Sequence, residues 1–130
     1  MNRSIYDTRF FFDYFFSPDK AAIRSLKANL QDTGKKMVSA VTIHELHRLN
    51  LKKLGGETAK LRSIFIRNEF KIIDIDYEIA IAGAELCDRY RMPLADSIIA
   101  ASALREGCLL VSDDGHFRSV KGLETSWPLS

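Results

Sequence analysis

Hydrophobic positions change their period several times along this chain, and each change marks a boundary between elements. Residues 4–6 form a short extended segment that ends at Asp7, and the aromatic run from Phe10 to Phe16 has helical rather than alternating character. Ser17, Pro18 and Asp19 supply an N-cap, a proline at the first helical position and an early acid, which predicts a helix over residues 18–30. Residues 37–41 read as a short apolar strand. Thr42 and Glu45 then stand at capping-box spacing and open a helix that stops at Gly55 and Gly56. Residues 57–68 repeat the helical period, 70–75 read as a strand, and the alanine-rich stretch 76–90 as a helix packed on one broad face. Pro93 breaks the chain before a helix over residues 94–105, which Gly107 ends. The continuous apolar run 108–111 has the signature of a strand buried on both faces, and residues 123–127 add an edge strand before Pro128. Parallel strands need crossover helices, so this alternation predicts an α/β sandwich with a mainly parallel sheet.

With 46% hydrophobic and 28% charged residues, the chain reads as one domain over residues 1–130. A chain of this size folds without a disulfide or a structural metal, so a metal here would be functional. No apolar stretch reaches membrane-spanning length, the aromatic run contains Asp13, and no secretory-signal pattern is present. The expectation is a cytoplasmic protein with no membrane partner. Cys87 and Cys108 fall inside apolar periodic segments without metal-ligand spacing and read as small buried hydrophobes. Nineteen Lys and Arg face seventeen Asp and Glu, a balance that says nothing of nucleic acid by itself. Location changes the picture: residues 48–71 hold seven basic side chains against two acids, and the remainder is net acidic. Arg48, Lys52, Lys53 and Lys60 are thus candidate substrate-binding residues, with a solvated helical face as the competing explanation.

Asp7 follows the first strand, Asp113 and Asp114 follow the strand at 108–111, and Glu45 lies in the first turn of the helix after the second strand. In open parallel sheets the ligand site lies beyond the carboxyl ends of the strands. Singly, these acids and Asp96 are explained as helix caps, dipole partners or turn residues. Their flanks change that. Ile5-Tyr6-Asp7-Thr8 resembles the strand-ending aspartate-threonine of the PIN-domain ribonucleases, including the VapC toxins, and Thr42 with Glu45 resembles their second motif, a hydroxyl residue three before a glutamate. Pro93-Leu94-Ala95-Asp96 with its alanine-rich helix, and Ser112-Asp113-Asp114-Gly115-His116-Phe117, are similar to the third and fourth.

The resemblance implies a PIN-like three-layer α/β/α sandwich and a metal-dependent endoribonuclease, the toxin of a toxin–antitoxin pair. It implies a homodimer, an RNA substrate and a small inhibitory antitoxin. Asp7, Asp96 and Asp114 would hold one or two Mg²⁺ or Mn²⁺ ions, with Glu45 a ligand or a general base. Thr8 and Ser112 would orient those acids, and Asp113 is a further candidate. The placement of Asp96 rests on the resemblance, since its helix leads into a strand instead of following one. Arg9 stands where the family often has asparagine, and could bind a scissile phosphate or pair with a carboxylate.

The chemistry is consistent with this. Four ionised carboxylates about 5 Å apart repel by roughly 3 kcal/mol per pair at an effective dielectric near 20. Protonation or a divalent cation must relieve that, and hard oxygen ligands favour Mg²⁺ or Mn²⁺ over zinc. Three other readings are weaker or different in kind. His44 and His47 are three apart, not the four a zinc-protease helix needs. A phosphotransfer aspartate at position 7 lacks the second aspartate and the late lysine of such sites. A catalytically silent PIN-like domain that binds RNA or protein is the alternative of a different class.

Overall fold

In the computed structural model, which describes residues 3–31 and 34–129, strand β1 (Arg3–Tyr6) sends Ile5 to one face of the sheet and Tyr6 to the other, both buried. The same alternation holds in β2 (Lys35–Ser39), β3 (Lys71–Ile73) and β4 (Leu109–Val111), where Met37, Ile73 and Leu110 share the face of Ile5 while Val38, Ile72 and Val111 share that of Tyr6. Both faces are apolar because both are covered, as a parallel sheet requires. Among the described residues the sheet has five strands in the order β3-β2-β1-β4-β5, all parallel, with β5 (Thr125–Ser126) on the β4 edge.

Helices α1 (Thr8–Phe16), α2 (Lys20–Gln31), α3 (Ala40–Leu54) and α4 (Gly56–Glu69) bring Phe10, Phe11, Leu26, Leu46 and Ile66 onto the Tyr6 face. Helices α5 (Tyr77–Tyr90) and α6 (Leu94–Glu106), with a single 3-10 turn at Gly115–Phe117, bring Ile79, Ile98, Ile99 and Phe117 onto the Ile5 face. The result is the three-layer α/β/α sandwich of the PIN-like fold. Most of the aromatic run is consumed internally: Phe10 and Phe11 are fully buried, and the Arg62 guanidinium lies over Phe15 and Phe16 at 4.7 and 5.1 Å, while Phe12 is 45% exposed.

Several boundaries differ from those the sequence predicts. Helix α3 starts at Ala40 because the Ser39 hydroxyl caps it, accepting from Val41 N–H at 3.2 Å; β2 therefore ends at Ser39, and Thr42 is buried within the helix instead of capping it. Helix α2 starts at Lys20, where Asp19 Oδ1 accepts from Ala21 N–H and Ala22 N–H at 3.0 and 3.3 Å, so Asp19 and not Ser17 is the cap. Strand β3 stops at Ile73, and only Thr125–Ser126 of the tail pairs. Both cysteines are free thiols, half-buried instead of buried.

The α5–α6 connection explains the position of Asp96. Arg91, in the left-handed region at φ 53°, turns the chain within three residues, and the two helices pack antiparallel. Gly83 permits their close approach, since a Cβ there would lie 3.0 Å from Ile98 Cδ1. At the far end of α6, Arg3 donates to the Glu106 carbonyl at 2.8 Å, which ties that end to the amino end of β1. The start of α6, with Asp96, consequently lies at the carboxyl edge of the sheet.

Phe117 anchors the turn that follows β4 in the core. Truncating it to alanine is expected to cost about 3–5 kcal/mol, read as a lowered urea midpoint, whereas Phe12→Ala should cost under about 1 kcal/mol.

Candidate metal centre

Asp7 lies one residue beyond β1, and its backbone N–H donates to Val111 O at 3.1 Å, so the ends of β1 and β4 are fastened together. Strand order reverses between these two strands, which opens the crevice where α/β folds place ligands. Asp7 as a residue is 2% exposed; Oδ2 accepts from the Ser112 hydroxyl at 2.6 Å and Oδ1 from Thr8 N–H at 2.7 Å, capping α1. Burial pushes its pKa from 3.8 to about 6 against those two hydrogen bonds, and the charges of Asp96 and Asp114 push the same way.

Glu45 is held on α3 by the Thr8 hydroxyl, which donates to Oε1 at 2.7 Å and lies 3.1 Å from the Thr42 hydroxyl. Thr42 thus joins the hydroxyl network that the sequence reading gave to Thr8 and Ser112. Asp96 is partly buried, and its pKa is raised first by lost hydration, then by Asp114, with a smaller push from Glu45 and an opposing pull from His116. Asp114 caps the 3-10 turn, Oδ1 accepting from His116 N–H at 2.9 Å, while its own N–H donates to Ser112 Oγ at 3.1 Å.

His116 is the residue that a search for clustered acids missed. Its Nδ1 lies 3.0 Å from Asp96 Oδ2 and 2.9 Å from Asp114 Oδ1. Among the described residues, one donor atom from each of Asp96, Asp114 and His116 falls within 4.8 Å of the others, a group able to hold a metal ion. The signal was an imidazole two positions after a candidate ligand, within one tight turn. Asp7 and Glu45 are linked to this trio through the field at Asp7 and Asp96 rather than by membership of it.

The remaining candidates divide. Arg9 donates from Nε and Nη2 to Asp113, whose pKa that guanidinium lowers, so the two form a pair at the rim. Arg48, Lys52, Lys53 and Lys60 are exposed on α3 and α4, and none enters an ion pair among the described residues. Glu45, Arg48 and Lys52 share one face of α3 by helical spacing. Lys60 lines a groove of about 350 Å³ with His47, Ser63 and Arg67.

An all-parallel sheet between helical layers, with acids gathered beyond its carboxyl ends at the reversal of strand order, is the arrangement that the PIN resemblance implies. A family model described as PIN domain matches residues 5–123, and the chain belongs to that family. No curated protein matches. The fold is similar to a DNA-bound VapBC of Salmonella typhimurium, with TM-score 0.80 and 17% identity over 99% of this chain and 100% of that one. It is similar to a toxin–antitoxin complex of Klebsiella pneumoniae, with TM-score 0.75 and 23% identity over 97% and 98%. A VapC toxin of Mycobacterium tuberculosis that cleaves the sarcin–ricin loop matches with TM-score 0.73 and 17% identity over 86% and 90%.

Because Asp7 binds its proton more tightly when folded, metal-free stability falls as pH rises from about 4 to about 6 and stays low above that. A shift from 3.8 to about 6 corresponds to about 3 kcal/mol at neutral pH. Asp7→Asn is expected to be about 1–3 kcal/mol more stable than wild type at pH 7 in chelator, a gain that vanishes near pH 4. Urea midpoints across that range read it out; a destabilised mutant at pH 7 would contradict the assignment of lost hydration as the dominant cause.

Proposed function

We propose that residues 1–130 act as one PIN domain with divalent-metal-dependent endoribonuclease activity, the toxin of a toxin–antitoxin pair. The observation that carries this reading is the convergence of Asp96, Asp114 and His116 beside the buried Asp7, a donor set that fits a hard or borderline divalent cation. Asp7, Asp96 and Asp114 would hold Mg²⁺ or Mn²⁺. When bound, such an ion neutralises charge developing on the phosphate and lowers the pKa of the attacking water.

The chain's own groups supply the rest. Glu45, fixed by the Thr8 hydroxyl, orients and deprotonates water or adds an oxygen ligand. Ser112 keeps Asp7 aimed into the site, and Arg48, Lys52, Lys53 and Lys60 track the phosphates of the RNA. The likeness to VapBC complexes supports a small antitoxin partner, and we extend the reading to a homodimeric, cytoplasmic toxin. No helix among the described residues is long and apolar enough to cross a membrane.

Purified protein should cleave RNA with Mg²⁺ or Mn²⁺, stop in chelator, and lose activity about 100-fold or more on Asp96→Asn, beyond the loss typical of groups one layer further out. Activity that survives both chelator and Asp96→Asn would defeat the proposal. RNA binding without cleavage would favour the silent domain.

Neutralising Lys52, Lys53 and Lys60 together should make the salt dependence of RNA binding shallower by about 2 in log–log slope. An unchanged slope, measured with the metal-free protein, would return the basic segment to a solvated helical face.

A further inference from the structure

We propose that His116 is a nitrogen ligand of this centre and tilts its metal preference from Mg²⁺ toward later first-row divalents, from Mn²⁺ to Co²⁺. The inference rests on the metal-centre reading above and extends it to which ion the site selects. Its basis is the geometry of the donors. Nδ1 lies 3.0 and 2.9 Å from one oxygen each of Asp96 and Asp114. Neighbouring donors around an octahedral ion with bonds of about 2.1 Å are about 3.0 Å apart. Around tetrahedral zinc the corresponding edge is about 3.3 Å. The two nitrogen–oxygen separations match the octahedral edge and equally an imidazole N–H···O hydrogen bond to each carboxylate, so they place Nδ1 where a ligand would stand while the ring nitrogen itself carries the ion preference.

The imidazole is also held in place. Its backbone N–H is tied to Asp114 Oδ1 at 2.9 Å, and the next residue, Phe117, is fully buried under α6. The ring itself is 52% exposed, so it is not a core histidine satisfied by packing. Nitrogen donors bind weakly to Mg²⁺, whereas affinity for an imidazole rises along the first-row series from Mn²⁺ onward. The carboxylates alone would favour the hard ions; one ring nitrogen added to them moves the balance.

The competing role for His116 is that of a cation that occupies the space between two acids and keeps metal out. The two roles predict opposite signs. Binding of Mn²⁺ to the intact protein is measured by EPR, with Mg²⁺ measured as competitor, for wild type, His116→Ala and the similarly sized His116→Gln. Metal-free melting curves establish that each variant is folded. As a ligand, His116 gives wild type at least a tenfold preference for Mn²⁺, and pulsed EPR of the bound ion shows coupling to nitrogen.

Both variants should then bind Mn²⁺ about tenfold more weakly, change Mg²⁺ affinity by less than twofold, and lose the nitrogen signal. Mn²⁺ bound without nitrogen coupling in wild type, or bound more tightly by the variants, overturns the proposal while leaving the nuclease reading intact. Nitrogen-coupled Mn²⁺ in a protein that does not cut RNA supports the ligand role and overturns the nuclease reading. A wild type that binds neither ion overturns both.

Discussion

Asp7 ends the central strand with 2% of its surface exposed, and whatever hydration its charged form loses there must come from elsewhere. The Ser112 hydroxyl and the Thr8 N–H return part of it, yet the carboxyl remains displaced to about 6, with Asp96 and Asp114 adding repulsion. Much of the surrounding architecture serves to maintain this position. The main-chain bond from Asp7 to Val111 fixes two strand ends side by side, and both sheet faces are sealed by helices so that neither strand can drift. Native structure is here spent on holding charges together that would separate if free. That is the usual relation between a site and its scaffold: stability is surrendered locally and recovered in the core.

Hydroxyl groups divide the work of aiming the acids. Ser112 serves Asp7 with its proton and Asp114 N–H with its lone pair; Thr8 serves Glu45 while its backbone caps on Asp7. Each hydroxyl thus links two strand or helix ends, so moving one acid strains another. Arg9, two residues after Asp7, is engaged by Asp113. Had Arg9 paired with Asp7 instead, the carboxylate would be stabilised as an ion pair and its appetite for a cation reduced.

Strand and helix identities were legible because their causes are local: short apolar runs in β2 and β4, and helical period elsewhere. Boundaries were less so. Ser39 and Thr42 are both good caps, and the sequence favours Thr42 because Glu45 completes a capping box with it. The fold instead uses Ser39, since Thr42 is needed inside, against Thr8, and Glu45 is turned toward the acids. Of the four acids, Asp7, Glu45 and Asp114 could be placed at the sheet edge from chain order alone. Asp96 could not, because its location depends on α5 and α6 forming an antiparallel pair, and three residues with Arg91 in a left-handed turn do not announce that. His116 escaped for another reason: a search for acids at strand ends has no place for an imidazole presented by a turn.

The basic segment shows how much tertiary context changes the meaning of a charge. Arg62 lies among the seven basic residues of this stretch, yet its guanidinium is committed to Phe15, Phe16 and the Asn50 side-chain oxygen. Arg48 and Lys52 remain exposed on the face of α3 that also carries Glu45, about 4.5 and 10.5 Å further along the axis. A polyanion drawn to that row meets carboxylates at one end of it. Without a cation the acids repel the phosphate that lies nearest them, so the row can hold the strand only away from the site. In the nuclease proposed above, neutralising their charge would let the same row deliver a phosphate to Glu45, so that attraction and positioning act in one direction. Under the proposed function, substrate approach and metal occupancy would therefore be coupled through the sign of the field at the start of α3, with no change of shape required.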